Sequence, residues 1–328
     1  AIRALHSMVG NAAVDAKYHI VVGIGSTELI MAAMHALASD TSEPSPLAPW
    51  SSRAAAYGQP AAVWSQRPFY SGYVNPSNFM RSELYQWGLN LSDTAPPIAS
   101  AERRVIELVT SPNNPDGHLR TPQLRGEHVR VVADHAYYWP HFTAIPRPVA
   151  YGNETVAIFT LSKLTGHAST RIGWAITPSK AVAERMLAFT HAVTFGAPRE
   201  NQLRAIALLE HVVAHDGEIF TYARHLMHGR WVTLERIFAG SAQYSLERRD
   251  ESERDTFSGV DSYPPSPAYA WIRRFDGGDA ALAMEQVGIK GRSGVSYGAD
   301  RSYVRLELLM REVTFDVMAA KLRRLVGD

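Results

Sequence analysis

A mainly parallel α/β sheet, followed by a helical stretch and a smaller α+β lobe, is the architecture the sequence predicts, and three observations carry it. Four β-favouring runs, around Ile20, Ile106, Val131 and Ile158, each end in polar residues. The segments between them are long enough for the crossovers that parallel neighbours require. Beyond Ile176 the pattern becomes amphipathic helix, and from about residue 240 it turns to short strands and a last helix. The expected division is therefore 1–239 and 240–328. Ligands of such sheets bind at the carboxyl ends of the strands, so the polar residues that close the four runs are expected on one rim.

Composition narrows the partners. The chain has 328 residues, 46% of them apolar, and a net charge of +1. That supports a large core and offers no basic block for a nucleic acid, which leaves small molecules as the expected ligands. With no cysteine, disulfides, thiolate catalysis and Cys-ligated metals are excluded, and a cytoplasmic location is expected. No apolar run approaches the roughly 20 residues that span a bilayer.

The first pattern is helical: Ile2, Leu5, Met8, Val9 and Ala12 share a face, with no initiator Met or cap before them, which reads as a trimmed start. A strand over 20–22 then runs through Gly23-Ile24-Gly25 and Ser26-Thr27 into a helix over 28–38. Unpaired N–H groups at that helix start would let Gly25, Ser26 and Thr27 cradle a phosphate, although a plain cap by Ser26 or Thr27 explains the same residues. The third glycine of a dinucleotide fingerprint is missing. Residues 39–52 read as a Pro/Ser-rich surface connector, and 61–65 as a short strand leading to Tyr70 and Tyr73, aromatics after Pro68 of which one, Tyr70, could stack on a flat ligand, although plain packing in a turn explains them as well.

The strand over 105–110 stops at SPNNPDG, which leaves the amides of Asn113 and Asn114 at its end. The next, over 129–133, runs into Asp134, His135, Ala136 and Tyr137. A carboxylate directly after a buried run needs a cation or several donors, unless it caps a helix. His135 and His141 lack the convergent carboxylates of a metal site, and no metal is expected. The last of the four runs ends at Thr160, Ser162 and Lys163, and Arg171 opens a further apolar run over 172–176. Lys163 is one of only five lysines, with Lys17, Lys180, Lys290 and Lys321. An amine in a partly apolar site favours its neutral, nucleophilic form and can make a Schiff base with an aldehyde. Hydroxyls at Thr160 and Ser162 and the Arg171 guanidinium suit a phosphate. Aldehyde and phosphate together point to pyridoxal 5'-phosphate.

Helices are expected over 181–194, 200–214 and 220–238, with Leu203, Ile206, Leu209 and Val213 as the core stripe of the second. Strands over 268–275 and 303–309 and a helix over 315–326 complete the chain. Arg305 sits among apolar neighbours, where it needs either a substrate carboxylate or a salt bridge such as one to Glu307.

The strings VVGIGST, LVTSPNNPDG, DHAYYWPHFT, TLSKLTGHASTRIGWAI and YVRLELL together resemble the fold-type-I pyridoxal-phosphate enzymes. Within these they resemble the plant family that joins alliinase to the tryptophan aminotransferases of auxin synthesis. The resemblance implies that Lys163 carries the cofactor and moves the proton of the amino acid's α-carbon. It implies Asp134 on the pyridine nitrogen, Tyr137 and Asn114 on the phenolic oxygen, and Tyr70 stacked on the ring. Gly25, Ser26, Thr27, Thr160, Ser162 and Arg171 are implied around the phosphate, and Arg305, with Asn114, at the substrate's carboxylate. A homodimer with the site at its interface is expected too. Three features depart from the family pattern: no N-terminal arm with its tyrosine, Glu28 in place of glutamine, and Ser169-Thr170 in place of Gly-Ser. The absence of the Cys-rich module of alliinase favours an aminotransferase that takes the amino group of an L-amino acid, tryptophan foremost, to a 2-oxo acid such as pyruvate. The rivals are a cysteine-S-conjugate lyase and a non-catalytic homologue.

Overall fold

Two sheets share one continuous apolar core. The computed structural model describes residues 1–38, 59–88, 97–100, 103–248 and 264–327; the connector expected over 39–52 lies outside them. The chain begins with α1 (Ile2–Val9), β1 (His19–Gly23) and α2 (Gly25–Ala38), followed by β2 (Ala61–Trp64), α3 (Val74–Phe79) and β3 (Tyr85–Trp87). Then come β4 (Val105–Thr110), β5 (Val129–Asp134), β6 (Thr155–Thr160), the one-turn helix α4 (Leu161–Leu164) and β7 (Gly173–Thr177). Helices α5 (Lys180–Thr194), α6 (Arg199–Ala214) and α7 (Glu218–Phe238) lead to β8 (Tyr244–Leu246), β9 (Tyr269–Arg274) and α8 (Ala280–Gln286). β10 (Arg292–Ser293), β11 (Tyr303–Glu307) and α9 (Glu312–Val326) end the fold.

The large sheet has the order β1-β7-β6-β5-β4-β2-β3. β7 is antiparallel to both its neighbours while all other pairings are parallel, so the remaining six strands share one direction. Alternate residues serve the two faces, as the period of two demands. Val132, Val156 and Ile158 meet α2 and α5 on one side, whereas Ala133, Ala157 and Phe159 face the core that continues to the second sheet. That second sheet, β10-β11-β9-β8, is antiparallel throughout, and its Ala270, Ile272, Val304 and Leu306 pack with Trp231, Leu234 and Phe315 of α7 and α9. Register sets the rim. Thr110 pairs with Asp134, Thr160 with Gly173, and Gly173 with Gly23, so the ends of five adjacent strands face the same edge.

Four expectations need correction. The first helix stops at Val9 because Gly10 turns left-handed (φ 72°), and Ala12 instead bridges Val149. α2 begins at Gly25, ahead of the expected residue 28: Gly25 takes φ 76°, and Glu28 folds back to accept the Ile24 N–H at 2.5 Å, closing the first turn from inside. Only half of the expected stripe of α6 is core: Leu209 is buried and Val213 packs against the core, but the other two members are not. Leu203 and Ile206 are 58% and 42% exposed, and Ala205, Leu209 and Val212 are buried with Leu5 and Val9 of α1. Finally, Arg305 has no salt bridge to Glu307, whose side chain is exposed.

Candidate active site

Asp134 closes β5 and is buried among groups that cannot neutralise it. Its Oδ2 accepts from the Tyr73 hydroxyl at 2.9 Å and its Oδ1 from the Ala136 N–H at 3.1 Å. Burial nevertheless pushes its carboxyl up to about 6, the two hydrogen bonds pulling the other way. Tyr73, at the start of α3, is itself fully buried, and its hydroxyl also meets Thr110 Oγ1 at 2.5 Å. Tyr70 stands edge-on to Tyr73, its ring centroid 5.2 Å away, and burial followed by the nearby Asp134 carboxylate raises its phenol.

A second cluster forms where the two sheets meet. The Tyr137 hydroxyl lies 2.7 Å from that of Tyr269 on β9 and 3.5 Å from Asn114 Nδ2; burial and the Tyr269 phenol hold Tyr137 well above the ordinary tyrosine range. Arg305 donates to Asn114 Oδ1 at 3.0 Å and lies with its guanidinium carbon 3.8 Å from the centre of the Tyr269 ring, with Tyr297 behind it. Among the described residues no carboxylate pairs with Arg305, and its buried Nε has no partner. Stacking on tyrosine orients a guanidinium but leaves its charge unopposed.

Lys163 sits on α4, immediately after β6, with its ammonium 5.6 Å from the Tyr137 ring centre and its carbonyl accepting from His141 Nε2 at 3.2 Å. Thr160 caps that turn: its hydroxyl accepts the Ser162 N–H at 3.2 Å and donates to the Ile172 carbonyl at 3.3 Å, so it is engaged inside the chain. Arg171 is left-handed (φ 49°), and this brings its side chain back over the start of α2. A methyl group built on Gly25 would lie 2.6 Å from Arg171 Nη2, and one on Gly173 would lie 3.1 Å from the Ser26 nitrogen. Only glycines permit that approach. The N–H groups of Ser26 and Thr27, at the positive end of a 14-residue helix, thus share a corner with Arg171.

The structure joins Tyr137, Asn114 and Arg305 by contact with Lys163 against Tyr137, links Tyr70 to Asp134 through Tyr73, and brings Gly25, Ser26 and Arg171 together at the start of α2. His135 and His141 bond to backbone carbonyls of Ser111 and Lys163 and are both pushed down to about 4 by burial; no group of three metal-binding side chains occurs among the described residues. Tyr73, Thr110 and Tyr269 were not singled out from the sequence as site residues. The i,i+3 spacing of Tyr70 and Tyr73 was a usable signal, whereas Tyr269 depends on the pairing of β9 with β11, which no local pattern carries. The donor set fits pyridoxal phosphate: a buried carboxylate for a cationic ring nitrogen, phenol and amide donors, an amine, and an anion corner made of a helix start and an arginine.

The family model for allinase matches residues 1–326. Tryptophan aminotransferase-related protein 4 of Arabidopsis thaliana is 36% identical over 99% of this chain and 67% of its own length. Alliin lyase 1 of Allium sativum is 32% identical over 99% of this chain and 66% of its own. The chain spans about two thirds of the length of these relatives. Among solved structures, a Thermus thermophilus aspartate aminotransferase has a TM-score of 0.71 at 17% identity, over 98% of this chain and 84% of that one. The aromatic aminotransferase of Pyrococcus horikoshii has a TM-score of 0.70 at 15% identity, over 98% and 84%. At such identities the likeness is one of fold, that of the fold-type-I aminotransferases.

Proposed function

The chain belongs to the allinase family, and from that membership and the site above we propose that it is a pyridoxal-phosphate-dependent aminotransferase acting on an L-amino acid, with tryptophan or another aromatic donor and a 2-oxo acid such as pyruvate as acceptor. The observation that carries this reading is the trio of Asp134, Lys163 and Arg305: among the described residues, a buried carboxylate with no cation, an amine at the next strand end, and a guanidinium with no anion. A buried charge without its opposite is costly unless a ligand supplies it.

Pyridoxal phosphate, when bound, supplies an electron sink for a carbanion at the substrate's α-carbon. Asp134 would keep a proton on the ring nitrogen, Asn114 and Tyr137 would bond the phenolic oxygen, and Tyr70 would pack on the ring. The start of α2, with Gly25, Ser26 and Thr27, would hold the phosphate together with Arg171 and Ser162, while Thr160, whose hydroxyl is engaged inside the chain, would cap the turn that carries Ser162. Lys163 takes the proton from the α-carbon and returns it, and Arg305 with Asn114 holds the substrate's carboxylate. Residues 1–239 and 240–328 act as two lobes around the cleft in this reading, and two copies form a homodimer. The aminotransferase branch is favoured by 36% identity to an aminotransferase-related protein against 32% to an alliin lyase.

A mixture of tryptophan, pyruvate and the cofactor-loaded protein tests it. Alanine and the matching aromatic 2-oxo acid are the expected products. Rapid release of pyruvate and ammonia from an S-alkyl cysteine sulfoxide, with no alanine from tryptophan, would instead assign the lyase reaction, the second reading that the 32% identity to alliin lyase sustains.

A further inference from the structure

Among the described residues Tyr73 is the one side chain that bonds Asp134, and neither the family resemblance nor the proposed chemistry uses it. Its hydroxyl lies 2.9 Å from Asp134 Oδ2 and 2.5 Å from Thr110 Oγ1, and its ring is fully buried. Thr110 ends β4 directly opposite Asp134 in the register of β4 and β5, so the threonine, the tyrosine and the aspartate form a short chain between neighbouring strand ends. An ionised carboxylate only accepts, so Tyr73 must give its proton to Oδ2, and its oxygen is then free to accept from Thr110. The direction of both hydrogen bonds thereby follows from the charge on Asp134. A charge-assisted bond of this kind is worth roughly twice a neutral one, and here its companion among the described residues is a single backbone N–H from Ala136.

We propose that Tyr73, oriented by Thr110, is a positioning residue that keeps Asp134 ionised and fixed in one orientation before any ligand arrives. A carboxylate buried in a cofactor-free cleft would otherwise take up a proton and lose its ability to hold a cationic ring nitrogen. Burial already raises Asp134, and the Tyr73 bond is the largest effect opposing that rise. The relevance of Tyr73 to a cofactor rests on the pyridoxal-phosphate reading; its action on Asp134 does not.

The test follows the Asp134 carboxyl itself. In the cofactor-free protein, infrared difference spectra across pH 4 to 9 resolve the protonated carboxyl band, assigned by its loss in Asp134→Asn. In Tyr73→Phe the midpoint of that band should move upward, and in Thr110→Val it should move the same way by less. Pyridoxal phosphate should then bind Tyr73→Phe roughly ten- to a hundredfold more weakly at neutral pH, the weight of one hydrogen bond to a charged group. Its 1-deaza analogue, which has no ring nitrogen, should bind both proteins alike. An unmoved Asp134 midpoint in Tyr73→Phe overturns the proposal, and so does an equal loss of affinity for cofactor and deaza analogue. If Tyr73→Phe does not fold, Thr110→Val decides alone, an unmoved midpoint again overturning it. Failure of the wild-type protein to bind pyridoxal phosphate at all, with the midpoint still shifted by Tyr73→Phe, overturns the cofactor reading and leaves the Tyr73–Asp134 coupling standing.

Discussion

Two buried polar clusters lie on either side of β6, and they solve the same problem in opposite ways. Behind the sheet, Trp174 Nε1 donates to His6 Nε2 at 2.8 Å, His6 Nδ1 meets Asn11 Oδ1 at 2.7 Å, and Asn11 Nδ2 donates to the Tyr138 carbonyl at 2.7 Å. Because Nε2 accepts, the proton sits on Nδ1, so every member of the chain is neutral and paired. At the strand ends, Asp134 and Arg305 have no opposite charge as partner among the described residues, and Arg305 Nε has none either. A closed neutral network is what a core can keep for its own sake. An open charged one makes sense only with a ligand in place, which is why we propose the strand-end cluster, and not the histidine cluster, as the site.

That contrast can be broken by substitution. Lys163→Ala should lower turnover by at least roughly 10²- to 10⁴-fold, the weight of acid–base catalysis alone, with the unfolding midpoint nearly unchanged; steady-state kinetics and a thermal melt of the same sample check both. Arg305→Leu should cost on the order of a hundredfold in kcat/KM, since two hydrogen bonds to a carboxylate are lost, and should leave cofactor absorbance in place. An unchanged kcat/KM would return Arg305 to a structural role. His6→Leu should do the reverse. It strands the Trp174 N–H and Asn11 Oδ1, each orphan costing roughly 1–3 kcal/mol, so denaturant unfolding should show a stability loss while cofactor affinity holds.

A further expected effect is in pH. His6, His135 and His141 are held down to about 4 by burial, so each contributes stability that is complete above the unfolded value of 6.5 and is lost as pH falls towards 4. Asp134, raised from 3.8 to about 6, works the other way: its contribution is complete below 3.8 and is lost as pH rises through 6. Three groups outweigh one, so the cofactor-free chain should lose melting temperature between pH 6.5 and 4. Asp134→Asn should steepen that loss, because it removes the opposing group. A flat profile would mean that the histidines are not sealed as the cluster suggests.

The strand ends were legible in the sequence because each is a β-branched run stopped by a polar residue, and β4 over 105–110 coincides with its expected range. The family strings carried Lys163, Asp134 and Arg305 together. What stayed hidden depends on distant pairing. β7 runs against the rest of the sheet and separates β1 from β6, although nothing in its own residues says so. The outward-facing Leu203 and Ile206 look like core until the small size of α1 is known. Tyr269 reaches Tyr137 across 132 positions of chain. Tyr73 was hidden differently: it stands in plain view beside Tyr70, but its partner Asp134 is known only once β4 and β5 are in register.

The most direct measurement is chemical trapping at the amine. Purified protein incubated with pyridoxal phosphate, reduced with borohydride and digested should yield a phosphopyridoxyl adduct on the peptide containing Lys163 and none on those containing Lys17, Lys180, Lys290 or Lys321. An unmodified Lys163, or label spread evenly over the exposed lysines, would contradict a cofactor site in the cleft of Asp134, Tyr137 and Arg305.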